Sequence, residues 1–564
     1  MGVVGGCAMN GASFIQGDLV TYPPQSGVSG AGQPVPPYQQ PPYQQQPPYP
    51  QAPHPQQQPY PQPPYPQGPS GPGLPQQYPQ QFPPHFPQQQ PFPPYGAPQP
   101  VRRGGAGRKL ACAGVVLVVL LGVVAGGAVL LHVARQRAPV RQPLSSSGGG
   151  GAWEKVTAGL TAALAAKDEE AFVKPFAAGA TKEKQRLVFR NLVKIPWETA
   201  RWEPGLTMDG QLTVDFVHQV KGVDNFPITE QYGWKVLSAA SGPSPDPMAG
   251  PPPGVDEVVT EVGGVKDDRG KDAGFGYYPA PWDAYDELAV QVRDHLVVMS
   301  DKGQAAELNR DVDVLARAAA DDLAAWQKYG PAPTGDRKGA SGFFVVLEKN
   351  RDVYNKLYRG DGKPNDSLEA GVNMPMQAAQ GPKAGDGELL IGGSRIVMDT
   401  TGSRFTSDQW QGGVTDIGRH EMAHAIVAPL LTTSGGFDGS GGPRDWVSEG
   451  FAEYMALRGK DSLARDELNA YLKDVPFDGQ LPGNGDEFYA SDADRRTANY
   501  TLSGDALRFM ASKYGDAKVF AFVAAQYGQP KEYEQQVTAA TGQPLAQFQA
   551  AWAAHVRSAV PARR

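Results

Sequence analysis

Cysteine is almost missing from this chain. Cys7 and Cys112 are the only two, and neither lies in a stretch that reads as folded. That excludes a disulfide framework and a cysteine-ligated zinc site, and it leaves the compartment undecided. Histidine is scarce too, with eight in 564 residues, so a histidine that falls into a pattern carries weight. Charge is absent from the beginning of the chain: between Met1 and Val101 the only charged residue is Asp18. Residues 23–100 are dominated by Pro, Gln and Tyr, in repeats such as Pro-Pro-Tyr-Gln-Gln. Such a composition buries too little apolar surface to offset chain entropy. Residues 1–109 are therefore expected to form a disordered tail of polyproline II character, able to engage partners that present aromatic grooves. The first 22 residues lack a basic n-region, so no cleavable signal is expected, and Gly2 lacks the Ser/Thr context of a myristoylation site. A net charge of −7 gives no reason to expect a nucleic-acid partner.

Long hydrophobic runs are equally rare, with one exception. Leu110–Ala134 is 25 residues without a charge, interrupted only by His132. As a helix it would be about 37 Å long, more than the roughly 30 Å of a bilayer core. It is expected to be a transmembrane helix contacting lipid through 110–134. Basic residues flank both ends: Arg102, Arg103, Arg108 and Lys109 before, Arg135, Arg137 and Arg141 after. The plan of Pro-rich tail, single span, Gly/Ser linker at 135–151 and C-terminal folded region resembles actinobacterial single-pass membrane proteins. That resemblance implies a cell-membrane location, with a cytoplasmic tail and an extracellular C-terminal region.

The folded region reads as α+β in two units, 152–265 and 287–560, joined by a linker at 266–286. In the first, Trp153–Ala177 has Leu160, Leu164 and Phe172 at helical spacing. Strand-like runs follow at Thr199–Trp202, Leu212–Val220 and Ile228–Val236, with a last one at Glu257–Gly263. Leu212, Val214, Phe216 and Val220 alternate onto one face. His218 shares that face, which marks it as structural rather than a ligand. Helices that begin Ala-Lys-Asp-Glu-Glu-Ala-Phe and lead into an antiparallel sheet resemble the nuclear-transport-factor-2-like fold. In the second unit, Leu288–Val292 and His295–Met299 read as a β-hairpin. Gln304–Tyr329 reads as an amphipathic helix, Gly342–Leu347 as a buried strand, Asp352–Tyr358 as a helix and Ser394–Asp399 as a strand.

The chemistry is concentrated further on. His420-Glu421-Met422-Ala423-His424 places two imidazoles four residues apart, on one face of a helix that Thr415 or Asp416 can cap and Pro429 can end. Two such histidines can share one metal ion, with Glu421 beside them. Glu449, 25 residues after His424, supplies a third ligand within Trp446-Val447-Ser448-Glu449-Gly450-Phe451-Ala452-Glu453-Tyr454. Catalytic zinc takes three protein ligands and keeps a fourth position for water. Glu453 lies four residues after Glu449, on the same helical face, and can hydrogen-bond a ligating histidine.

These two motifs resemble those of the gluzincins, the zinc-peptidase clan of thermolysin and the large aminopeptidases. The resemblance covers roughly 287–560. It implies one zinc per chain on His420, His424 and Glu449, with Glu421 as catalytic base and a peptide or protein as substrate. It also implies a mixed sheet with the motif helix, followed by a helical part. Tyr500-Thr501-Leu502-Ser503-Gly504 resembles the aminopeptidase Tyr-x-x-Gly segment, one residue longer, which makes Tyr500 the candidate donor to the oxyanion. No Gly-x-Met-Glu-Asn-type motif is present, so recognition of a free N-terminus is not implied. In this clan an edge strand above the zinc pairs with extended substrate, and Ser394–Asp399 is the candidate for that edge. The competing expectation is a membrane-tethered binding or sensory protein whose metal site is vestigial or structural. The intact Glu421 weighs against it, because a structural site needs no base.

Overall fold

The computed structural model describes residues 150–560, apart from 209–210, 240–249, 266–279, 336, 359–369, 380–389, 433–441 and 474. The tail expected at 1–109, the span expected at 110–134 and nearly all of the 135–151 linker lie outside the described residues. The expected fold class needs one correction. The described residues form an α+β structure, and among them no helix is long and apolar enough to cross a membrane.

Three helices lead the first segment: α1 (Gly150–Ala166), α2 (Glu169–Val173) and α3 (Ala180–Leu192). Asp168 caps α2, its carboxylate accepting from the Ala171 amide. Four antiparallel strands follow in sequential order: β1 (Trp197–Met208), β2 (Gln211–Val220), β3 (Ile228–Val236) and β4 (Val259–Gly263). Helix α4 (Pro281–Ala284) leads to a second sheet. Its strands are β5 (Leu288–Arg293), β6 (Leu296–Asp301), β7 (Phe343–Glu348), β8 (Gly371–Gln377) and β9 (Ile391–Asp399), in the spatial order β5-β6-β7-β9-β8. Between β6 and β7 runs α5 (Ala305–Tyr329), and after β7 comes α6 (Arg351–Leu357). The rest is helical: α7 (Ser403–Thr406), α8 (Trp410–Val427), α9 (Asp445–Ala456), α10 (Asp461–Tyr471), α11 (Ala493–Tyr514), α12 (Asp516–Gly528), α13 (Tyr533–Thr541) and α14 (Leu545–Ala559).

Strand β7 shows why the chain folds around this sheet. Phe343-Phe344-Val345-Val346-Leu347 has no polar alternation, the pattern of a strand buried on both faces. Phe343, Val345 and Leu347 join the core made with α5, α8, α9 and the C-terminal helices. Phe344 and Val346 join the core of the first segment, with Phe216, Tyr232, Trp234 and Trp282. Burying each such side chain contributes about 1.5–3 kcal/mol. The segments read as two units thus share one wall. An isolated bridge between Ile228 and Ala378 also ties the two sheets together, directly after β8.

The expected edge strand is corrected. Ser394–Asp399 lies within β9, which is hydrogen-bonded to β7 on one side and β8 on the other, so it has no free edge. β5 is the edge on the far side of the sheet, and the edge on this side is β8, Gly-Val-Asn-Met-Pro-Met-Gln. Its proline and glycine hide it as a strand in the sequence, yet an edge is where a sheet tolerates proline.

Candidate metal centre

Helix α8 begins at Trp410, more than a turn before the expected caps Thr415 and Asp416. Asp416 instead accepts an ion-paired hydrogen bond from Lys460. The helix ends at Val427, with Pro429 in the 3-10 turn that follows. Ahead of the first motif histidine, Arg419 is buried and donates from Nε to Oδ1 of Asp322 on α5, at 2.8 Å. Burial raises the Asp322 carboxyl to about 7, against the pull of Arg419. This pair ties α8 to α5, while His420 and His424 lie against Glu449 of α9.

Helix α9 carries the second motif and crosses α11 at near-contact. A Cβ on Gly450 would stand 2.7 Å from the Ser503 carbonyl oxygen, and one on Gly504 would stand 2.7 Å from Cβ of Glu453. Only glycine permits that approach. Glu449 of α9 in turn meets the two histidines of α8. Its Oε2 lies 3.5 Å from Nε2 of His420 and 3.3 Å from Nε2 of His424. Among the described residues these three side chains form the one such cluster able to hold a metal ion, all three ligand atoms lying within 4.8 Å of one another. Two ligands at tetrahedral angles around zinc, with bonds of about 2.0–2.1 Å, stand roughly 3.4 Å apart. The residues present fit the group that the motifs imply.

Glu453 stands where a supporting carboxylate should, with Oε1 3.2 Å from Nδ1 of His420. Burial opposes charge on His420, but Glu449 and Glu453 outweigh it and raise its pKa to about 10. Burial also pushes Glu449 up, and the two imidazoles overturn this, holding it well below the usual carboxylate range. Glu453 is lowered in the same way, His420 acting against burial. The metal-free cluster is thus an ion pair network. A metal ion would take the place of its proton, since imidazole ligates only when neutral.

Glu421 is 4% exposed and sits against the start of the edge strand: a Cβ on Gly371 would stand 2.7 Å from its Oε1. The base candidate and β8 therefore adjoin. The Tyr500 ring, on α11, lies 6.2 Å from that of His420 and 6.4 Å from that of Tyr489. Sequence reading missed Tyr489, whose hydroxyl donates to Oε1 of Glu449 at 2.8 Å. The signal for it was slight: Phe488-Tyr489 is the only aromatic pair in a run of Gly, Pro and acidic residues at 478–492. His218 lies apart from this centre, wholly buried between Trp197, Phe216 and Trp282. No protein-family model matches the chain, and no curated protein matches it.

Proposed function

We propose that this chain is a zinc-dependent peptidase of gluzincin type, in which Glu421 acts as general base. The observation that carries the reading is the convergence of His420, His424 and Glu449 beside a buried Glu421 and the edge strand β8. When bound, zinc supplies a polarised carbonyl and a water acidic enough to attack it. His420, His424 and Glu449 would hold the ion, and Glu453 would keep His420 oriented through Nδ1. Glu421 takes the proton of the attacking water and passes it to the departing amine. Tyr500 is the candidate donor to the developing oxyanion.

Substrate enters as an added strand on β8, the edge strand of the second sheet that adjoins Glu421. Gly371 begins that strand against Glu421, so a peptide paired there passes directly over the base. The lack of a side chain at Gly371 leaves room for the carboxylate. An extended peptide, rather than a compact small molecule, is the substrate this arrangement suits.

The test uses the purified full-length chain. Zinc per chain is measured by elemental analysis, and cleavage of a mixed peptide library by mass spectrometry, for wild type beside Glu421→Gln. One zinc in both proteins with cleavage in wild type alone is the expected result. Equal cleavage by the Gln variant would remove Glu421 from the mechanism. Absence of zinc from the wild type would sink the reading.

A further inference from the structure

Glu449 uses its two oxygens differently. Oε2 faces both imidazoles, at 3.3 and 3.5 Å, while Oε1 accepts the Tyr489 hydroxyl at 2.8 Å. We propose that Tyr489 is a positioning residue that commits Glu449 to bind metal through Oε2 alone. This rests on the zinc reading above and goes beyond it. A carboxylate free to offer both oxygens can chelate, and the second oxygen then competes for the position that catalytic zinc keeps for water. A hydroxyl fixed on Oε1 occupies that oxygen and also steadies the ligand's rotamer.

The hydroxyl is held there by the loop, not by burial of the ring. Tyr489 is 43% exposed, and its ring meets those of Phe488 and Tyr500 edge-on. The loop around it is tied to two helices, α9 and α11. At the start of α9, the Asp445 amide donates to Oδ1 of Asn484 at 3.0 Å, and Oδ2 of Asp445 accepts from the Gly485 amide at 2.6 Å. From α11, Asn499 donates to the carbonyls of Glu487 and Phe488, at 3.0 and 2.8 Å. Just beyond Tyr489, Arg496 donates to the Ala490 carbonyl at 2.9 Å. Between these ties Phe488 is fully buried in the core beneath the site. Asp445 and Glu449 lie four apart on α9. The helix that presents the ligand therefore also anchors the loop that restrains it.

The test is Tyr489→Phe in the full-length protein, which keeps the ring and removes the hydroxyl. Zinc affinity is measured by competition with a chromophoric chelator, and the coordination number by the visible spectrum of the cobalt-substituted protein. The expected result is zinc affinity about 10–100-fold weaker, a cobalt spectrum moved toward five-coordination, and unchanged thermal unfolding of the metal-free protein. If the wild type cleaves peptide, kcat should fall more than KM rises, because the metal-bound water is displaced while the β8 edge is intact. Unchanged zinc affinity with an unchanged cobalt spectrum would overturn the proposal. A wild type that binds zinc but cleaves nothing would end the peptidase reading alone, since affinity and spectrum still decide the role of Tyr489. A wild type that binds no zinc would end both.

Discussion

At the junction of the two sheets, His218 Nε2 lies 3.2 Å from Oε1 of Glu230, and at the candidate metal centre His420 Nδ1 lies 3.2 Å from Oε1 of Glu453. The residue types and the separation are the same, and the imidazole pKa moves in opposite directions. His218 is wholly buried among aromatic rings, and neither of its nitrogens is aligned for a hydrogen bond. Burial, reinforced by the nearby Arg395 charge, drives its pKa well below the usual imidazole value. Burial raises Glu230 to about 7. Burial thus works against charge on both members of that pair, and Asp224 and Arg395 lie beside it, 3.0 Å apart. His420 meets two carboxylates, one at each nitrogen, and its pKa rises to about 10. One carboxylate in an apolar wall makes a packing residue. Two carboxylates bracketing both nitrogens make a seat for a cation.

The comparison can be broken most sharply by removing one histidine from each place. His424→Ala should lose bound zinc altogether, whereas His218→Ala should retain one zinc per chain; elemental analysis of the two variants decides it. The next largest effect belongs to the junction. Asp224→Ala leaves the Arg395 guanidinium, 4% exposed, without its ion partner. Urea unfolding should show a loss of about 3–5 kcal/mol, with metal affinity unaltered.

Titration separates the two places more finely. Glu230 has a carboxyl pKa near 4.5 when unfolded and about 7 when folded, so the folded state holds its proton longer. Its contribution to stability is full below pH 4.5 and is lost as the pH rises through 7. The loss amounts to at most roughly 3 kcal/mol. Glu230→Gln should flatten that slope in chemical unfolding measured from pH 5 to 8. The smallest change is expected from Glu453→Gln, which keeps a hydrogen-bonding group at His420 Nδ1 but removes its charge. Zinc affinity should fall by about tenfold, and chelator competition measures it. An unchanged affinity would mean that the charge of Glu453 adds nothing to the cluster.

The two histidine candidates were legible because they rest on local spacing: a helix sets His420 and His424 side by side whatever lies around them. Glu449 was legible from the motif around it and the resemblance that motif carries, since its approach to the histidines is a contact between two helices. Strands β2, β3 and β6 were legible from alternation or from runs of branched residues. Strand β8 was hidden by Gly371 and Pro375, because what makes it a strand is pairing with β9, not its own composition. Tyr489 was hidden for a related reason. Its place is set by Asp445 and Asn499, which belong to two different helices, and nothing within its own loop points to the metal centre. The shared wall was half visible. The unbroken apolar run of β7 calls for cover on both faces, but not which segment provides it.

That wall has a consequence for how the chain can be cut or inherited. A fragment beginning at residue 287 would part Phe344, Val346 and Val397 from the core they share with the first segment, and one ending at 265 would strip the Trp282 ring from Phe216 and His218. Each piece would expose apolar side chains that the other now covers, and exposed apolar patches favour aggregation. Hydrogen exchange should accordingly find the backbone amides of β2 and β7 opening together, as a single cooperative block. A shuffled or truncated descendant that parts the two halves would have to invent a new cover before it could stay in solution, so recombination should pass them on as one piece.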